Sequence, residues 1–304
     1  MTNLAAWAEM LRSPLDHQQA VTRTADGNWR SADGAFSSGA AVMNGLSIPD
    51  FRARETPQTV NVAFRIPVTP LDRGQVARDY FRAINADFPH YSRAEIRQRY
   101  GTKLDKGMQF YCQQLWRERG VDARILDLGC GSGGNGRYLQ SLGFRHILSV
   151  DWEAAGADMF VDAHRLPLAD GVFDLVISTA VFEHLYNPFI AMSEIARVCR
   201  DGGWFVGSAS FWEGWHASSH FHMTPDGWHT ILDHAGMEIV DLWEGWGILP
   251  AALSHVLTPG RLRGLGYVLQ SGVESIYRLA LGEPGVRRLH LRASGSYQIW
   301  ASKR

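Results

Sequence analysis

Histidines cluster in two places along the 304-residue chain. Trp215-His216-Ala217-Ser218-Ser219-His220-Phe221-His222-Met223-Thr224 holds three, and Phe182-Glu183-His184-Leu185 places a fourth beside a carboxylate. A neutral imidazole is a suitable general base for a hydroxyl nucleophile near neutral pH. His222, His184 and His220 are therefore the candidate bases, with Glu183 next. Their alternative is a structural or surface role. Three closely spaced histidines also suit a metal, but no carboxylate set accompanies them in sequence, and no metal is expected. Trp212 and Trp215 flank the cluster with Gly214 between them. Flat indole walls suit the C–H face of a polyhydroxylated ring, and equally an aromatic one.

A second set of residues can hold a ligand. Ile125-Leu126-Asp127-Leu128-Gly129-Cys130-Gly131-Ser132-Gly133 is an apolar strand running into a turn whose glycines permit close backbone approach. The helix that follows offers its N-terminus to negative groups. Asp151 closes the next strand, where a carboxylate can accept from both ribose hydroxyls, and Asp162 follows a third strand, ahead of Ala163 and His164. The glycines at 129, 131 and 133 do not fit the Gly-x-Gly-x-x-Gly of nicotinamide dehydrogenases, the competing reading.

The elements that position these residues alternate. Strands are expected at Arg124–Leu128, His146–Val150, Met159–Val161, Phe173–Ser178, Trp204–Ser208, Met237–Leu242 and Ser296–Ala301. Helices are expected at Gly134–Leu142, Pro188–Val198 and Thr224–Ala235, the last with a Thr cap and Pro at its first turn. The fold class is α/β, a doubly wound Rossmann-like sheet of seven strands. About fifty residues, Gly247–Gly295, intervene between the last two strands, far more than a hairpin needs. Leu265, Val268, Leu269, Val273 and Ile276 fit a helical face there. Residues 1–70 read as an N-terminal module of short strands and turns, with apolar patches at Ala40–Met43 and Thr59–Val62. Residues 71–119 read as a helical cap, and 120–304 as the main domain.

The runs ILDLGCGSGG, SVDWE, DAHRLPLADGVFDLVIS and FEHL, in this order, resemble the class I S-adenosylmethionine-dependent methyltransferases, in particular those acting on sugars and other small molecules. The resemblance implies that S-adenosylmethionine is the cofactor. It implies that Asp127, Gly129, Cys130, Gly131 and Gly133 meet the methionine part, that Asp151 meets the ribose and that Asp162, Ala163 and His164 meet the adenine. Trp152 would lie against adenine or ribose, and Ser178 would border the site. One departure stands out: Asp151 and Asp162 are so close that the usual intervening helix shrinks to a turn, opening one wall of the adenine pocket. The N-terminal Leu11–Asp16 run is similar to a zinc-ribbon-like module that precedes or activates some methyltransferases. Ser13 and Asp16 stand at its cysteine positions, and the second pair falls near Arg30 and Asp33. Cysteine-free, it would bind no zinc; the alternative is an irregular extension.

Within this resemblance the chemistry narrows by absence. Ser178-Thr179-Ala180-Val181 replaces the Asn/Asp-Pro-Pro-aromatic loop of base-amine enzymes, and no Pro-Cys pair occurs for cytosine C5 attack, so DNA is not an expected partner. The reaction expected is O-methylation of a sugar or glycan intermediate, with Trp212, Trp215, His216, Arg287 and Arg288 at the acceptor. Alternatives are C- or N-methylation of a quinone-like or other metabolite, a catalytically silent cofactor-binding partner, and tRNA methylation. A net charge of −1 counts against nucleic acid. Residues 261–304 nevertheless carry eight Arg/Lys and two Glu, which would serve an anionic acceptor, a peripheral membrane contact or simply a solvated face. Cys112, Cys130 and Cys199 form no disulfide framework, which points to a reducing cytoplasm. No run reaches the ~18 apolar residues of a membrane span. A homodimer is a further expectation.

Overall fold

A computed structural model describes residues 4–53, 106–216, 219–254 and 263–304. The main sheet runs β10-β11-β9-β8-β5-β6-β7-β4-β3, with β3 at Gly39–Met43, β4 at Leu46–Asp50, β5 at Arg124–Leu128, β6 at His146–Asp151, β7 at Met159–Phe160, β8 at Phe173–Thr179, β9 at Cys199–Ser210, β10 at Met237–Gly247 and β11 at Ser294–Lys303. β5 pairs in parallel with β6 and β8, and β8 with β9, whereas β11 is antiparallel to both neighbours. The chain reverses between β8 and β6 around β5, so the crevice over their C-terminal ends is where such sheets place ligands.

Among the described residues the sheet has nine strands, against the seven expected. The hairpin β3–β4 adds to the β7 edge, β4 running parallel to β7 through Asp50 and Phe160. β1 (Val21–Arg23) and β2 (Trp29–Ser31) form a separate antiparallel pair. These N-terminal residues share the main core. Trp7 stacks on Phe173 at 5.5 Å, and Trp29 and Phe36 lean on Phe51. All five are buried in one cluster with the strands β5, β6, β8 and β9. Ser13 is buried and Asp16 exposed, and Gln19 donates to Asp33 at 2.7 Å, so the two turns are held by hydrogen bonds. Thr59–Val62 and residues 71–105 lie outside the described residues.

The opposite face is covered by α1 (Lys106–Arg119), whose Met108, Tyr111, Cys112 and Leu115 fill the core against β5, β6, β8 and β9. Its expected helical character holds over the residues described. α2 (Gly134–Ser141) follows the glycine turn. α3 (Pro188–Val198) is capped by Asn187, which accepts from Ile190 N–H, and α4 (Pro225–His234) by Thr224, which accepts from Gly227 N–H. Each cap satisfies an amide the helix leaves unpaired.

The insertion is α5 (Ile248–Ala252) and α6 (Arg263–Arg292), kinked at Gly282 where φ is 67°. α6 turns an unusual face inward. Gln270 and Gly266 are buried, and Glu274 pairs with His290, whereas Leu265, Val268, Leu269, Ile276 and Leu279 face solvent. The apolar periodicity therefore marks the outer side. No helix among the described residues is long and apolar enough to cross a membrane.

Candidate active site

Three loops meet at the C-terminal ends of β5, β6 and β8. The glycine turn is built by left-handed residues: Gly129 has φ 75°, Gly131 56° and Gly133 76°. Such values disfavour any side chain with a Cβ. Close approach is needed as well, but the neighbour at two positions is the chain itself. A Cβ on Gly129 would lie 2.1 Å from Val181 Cγ2. On the other side the short β6–β7 connection folds over the turn. Gly156 N–H donates to Gly131 O at 3.1 Å, and a Cβ on Gly156 would come within 2.3 Å of Gly133 N. The lost helix is thus replaced by a loop seated on the glycine turn.

Asp151 braces the same turn. Its Oδ2 accepts from Gly131 N–H at 2.9 Å and its Oδ1 from Glu153 N–H at 3.0 Å. Asp127 is fully buried, and Asn135 joins it to Thr179: the amide donates to Asp127 Oδ1 at 3.3 Å and to Thr179 Oγ1 at 3.1 Å. Asn135 and Thr179 were not signalled by the motif; a polar side chain in the first turn of a helix about to be buried was the available clue. Ser178 Oγ is buried without a hydrogen-bond partner at the end of β8. Cys130 is buried, and burial together with nearby Asp127 pushes its thiol well above the ordinary range, so it serves packing.

The residues expected at the adenine separate. Asp162 Oδ1 accepts from His164 N–H at 2.9 Å and lies 2.6 Å from His164 Nδ1. Asn187 N–H donates to His164 Nε2 at 3.2 Å, which fixes the proton on Nδ1. His164 is buried and stacks on Tyr186 at 3.8 Å. It therefore orients Asp162 and presents no free nitrogen of its own, a correction to its expected direct contact. Burial raises the Asp162 carboxyl, and the His164 hydrogen bonds outweigh it, leaving the group below its ordinary value. Ala163 is buried beside it. Trp152 is 55 % exposed rather than core, and Arg52 sits over its ring at 5.1 Å while donating to its carbonyl at 2.9 Å. Arg52, fixed by Asp50, is a residue from the N-terminal region that sequence order kept hidden.

The residues expected at the acceptor come together around Glu183. His220 and Phe221 N–H donate to the Glu183 carbonyl at 2.6 and 3.2 Å, tying the loop after β9 to the turn after β8. The His184 and His216 rings meet edge-on at 5.5 Å, and His216 and His222 lie 6.4 Å apart. His222 Nδ1 is 3.0 Å from Phe211 O and His216 Nδ1 is 2.8 Å from Gly214 O, so both carry their protons there. His220 is exposed, as are Trp212 (56 %) and Trp215 (79 %). Glu213, which accepts from Trp246 Nε1, and Ser210 complete the wall. Arg288 is exposed and Arg287 half-buried beyond the α6 kink.

Residues 126–207 match the family described as a methyltransferase domain. Over this stretch the chain is similar to a methyltransferase domain. The stretch contains the glycine turn, Asp151, Asp162 and Glu183-His184. The chain is 32 % identical to the malonyl-[acyl-carrier protein] O-methyltransferase of Geobacter sulfurreducens, over 45 % of this chain and 53 % of that protein. It is 33 % identical to the fatty-acid O-methyltransferase of Mycolicibacterium smegmatis, over 32 % and 42 %. Among solved structures, a SAM-dependent methyltransferase of Archaeoglobus fulgidus aligns with 64 % of this chain and 94 % of that one, at 18 % identity and a TM-score of 0.41. The chain spans about half the length of the curated relatives it matches. The methyltransferase domain's cofactor is S-adenosylmethionine, and the residues fit it: a left-handed glycine turn opens a helix, a carboxylate is held at its side, and the buried Ser178 hydroxyl has no protein partner.

Proposed function

We propose that the protein transfers the methyl group of S-adenosylmethionine to a hydroxyl oxygen of a sugar-type small molecule. The observation that carries this reading is the pair of exposed indoles, Trp212 and Trp215, on the loop that also bears His216 and His222. When bound, the cofactor supplies a methyl group already activated by its sulfonium. The chain's own task is to place the oxygen in line and take its proton. Asp151 would hold the ribose, the 129–133 turn the methionine part, and Asp162 with Ala163 the adenine edge. Trp152 would cover the base from its solvent side.

His222 is the base in this reading. Its Nδ1 proton is engaged by Phe211 O, so Nε2 carries the lone pair. His220 is exposed and enters through its backbone, Glu183 is turned to Ser210, and His184 Nδ1 is enclosed without a partner. A carboxyl acceptor is the second reading, favoured by the outward apolar stripe of α6, which suits an acyl chain. The names of two relatives agree with it. The readings part in pH dependence. A hydroxyl acceptor needs a neutral imidazole, so its rate falls on the mildly acid side of neutrality. A carboxylate is already ionised there and needs no base. Formation of S-adenosylhomocysteine, measured across sugar and fatty-acid acceptors from acid to neutral pH, tests both. A sugar-dependent signal with an acidic limb supports the first, and turnover on fatty acids alone removes it.

A further inference from the structure

Glu183 has an electrostatic imbalance that the proposed methyl transfer does not use. The residue is 1 % exposed, and its Oε2 has no hydrogen-bond partner. Its Oε1 lies 3.0 Å from Ser210 Oγ, and the same hydroxyl lies 2.7 Å from Glu213 Oε2. A serine hydroxyl has one proton and can donate to only one of the two carboxylates. Among the described residues no Arg or Lys forms an ion pair with Glu183 or Glu213. Glu213 also accepts from Trp246 Nε1 and is part-buried, so the shortage falls on the buried Glu183 carboxylate, whose unpartnered Oε2 calls for a cation.

The ligands for one are beside it. Glu183, His184 and His216 each offer a ligand atom, and these atoms lie within 4.8 Å of one another. His184 Nδ1 is buried without a partner. His216 has Nδ1 fixed by Gly214 O, the kind of outer contact that orients a ligating imidazole. Two histidines and one carboxylate form a donor set used for zinc and other borderline divalent ions, with a position left open for an oxygen ligand. Ligand atoms around such an ion stand about 3.3 Å apart, for bonds of about 2.0–2.2 Å. Side-chain rotations of about 1.5 Å close the difference on the half-buried histidines.

We infer that Glu183, His184 and His216 bind a divalent transition-metal ion whose open position takes the acceptor oxygen. The inference rests on the proposed transfer to oxygen and extends it. A hydroxyl on the ion loses its proton to His222 Nε2. The oxygen then forms its bond to the methyl carbon while the carbon–sulfur bond breaks, the electron pair staying on sulfur. The products are the O-methyl compound and S-adenosylhomocysteine, and the His222 proton leaves to water. The ion is not oxidised or reduced; it lowers the hydroxyl pKa as a Lewis acid.

The test uses the full chain, stripped with a chelator and titrated with Co2+ and with Zn2+. One equivalent of Co2+ should bind with the visible ligand-field bands of a low-coordinate site. Glu183→Gln and His216→Ala should each weaken binding more than about 100-fold, since even outer contacts are worth 10–100-fold. His216 is only half-buried, so its variant guards against misfolding of the buried Glu183 change, and S-adenosylmethionine binding checks both. Glu274→Gln should leave the site intact; it addresses Glu244, Glu274 and His290, a second group with ligand-like spacing. Metal binding that survives both site variants and is lost in Glu274→Gln overturns the inference, as does absence of Co2+ binding by a protein that binds S-adenosylmethionine. Bound metal with no methylation of any hydroxyl would defeat the proposed reaction and leave the site standing. Full-rate hydroxyl methylation by protein that takes up no metal would do the reverse.

Discussion

Gly156→Ala places one methyl group between two backbones. The new Cβ would stand 2.3 Å from Gly133 N, 2.4 Å from Ser132 C and 2.6 Å from Gly131 O, against the 3.4 Å at which ordinary contact begins. All three are backbone atoms, so no side-chain rotation relieves the overlap. The β6–β7 loop must lift by about 1 Å, stretching the Gly156 N–H to Gly131 O bond and unseating the turn that Asp151 braces. Overpacking of this kind costs about 1–3 kcal/mol. If that cost falls on the cofactor-competent form of the turn, S-adenosylmethionine affinity drops about 5- to 150-fold, at 1.4 kcal/mol for each factor of ten. Gly202→Ala is the control: it has φ 65° but open space, and should cost stability without touching affinity. Calorimetric titration with the cofactor, beside thermal unfolding, separates the two. Wild-type affinity and wild-type melting for Gly156→Ala would refute the placement of this loop on the glycine turn.

Asp151→Ala removes the acceptor of two amide hydrogen bonds and the proposed ribose contact, and should weaken cofactor binding by about 1–3 kcal/mol in the same titration. His222→Ala should lower kcat about 10²–10⁴-fold with cofactor affinity unchanged, and remove the acidic limb of the rate profile. The docking of α6 should depend on pH. Burial, opposed by His290, pushes the Glu244 carboxyl up to about 7, and His290 is raised because the Glu274 and Glu244 contacts outweigh its own burial. Both shifts make the folded state bind more protons than the unfolded one, so stability falls as pH rises from about 4.5 through 7 and beyond the raised His290 value. Glu274 is lowered, burial being outweighed by its His290 hydrogen bond, so its contribution is lost instead as pH falls below the ordinary carboxylate range. Protection factors of the amides over 263–281, with intrinsic exchange divided out, should be highest near pH 4.5 and lower at pH 8; a flat profile would contradict the trio.

Strands and helices of the cofactor half were legible because their signals are local. Arg124–Leu128 and Pro188–Val198 fall where apolar runs, Asn187 and Pro188 put them. Strand ends were read short on β9, β10 and β11, whose outer residues pair with one another beyond the apolar core. The β3–β4 addition rests on the single pairing of Asp50 with Phe160, and its inner strand β4 carries Pro49, which argues against a strand, so nothing local announces it. On α6 the 3.6-residue period of Leu265, Val268, Leu269 and Ile276 gave a face but not its direction; Gln270, Glu274 and His290 decided that through buried polar contacts. In the site, Asp151 stands where motif spacing places it. The glycines proved to accommodate Val181 and Gly156, and Arg52 reached Trp152 across a hundred residues of sequence.

The central claim is methyl transfer to oxygen at the site framed by Asp151 and His222. The most direct measurement supplies S-adenosylmethionine carrying a 13C-methyl group with a panel of sugar-type acceptors, and follows the label by NMR in wild type and His222→Ala. Label appearing on an acceptor oxygen, at a rate that collapses in the variant, is the predicted result. Tight cofactor binding with the label passing to nitrogen or carbon, or to oxygen equally fast without His222, would contradict the account.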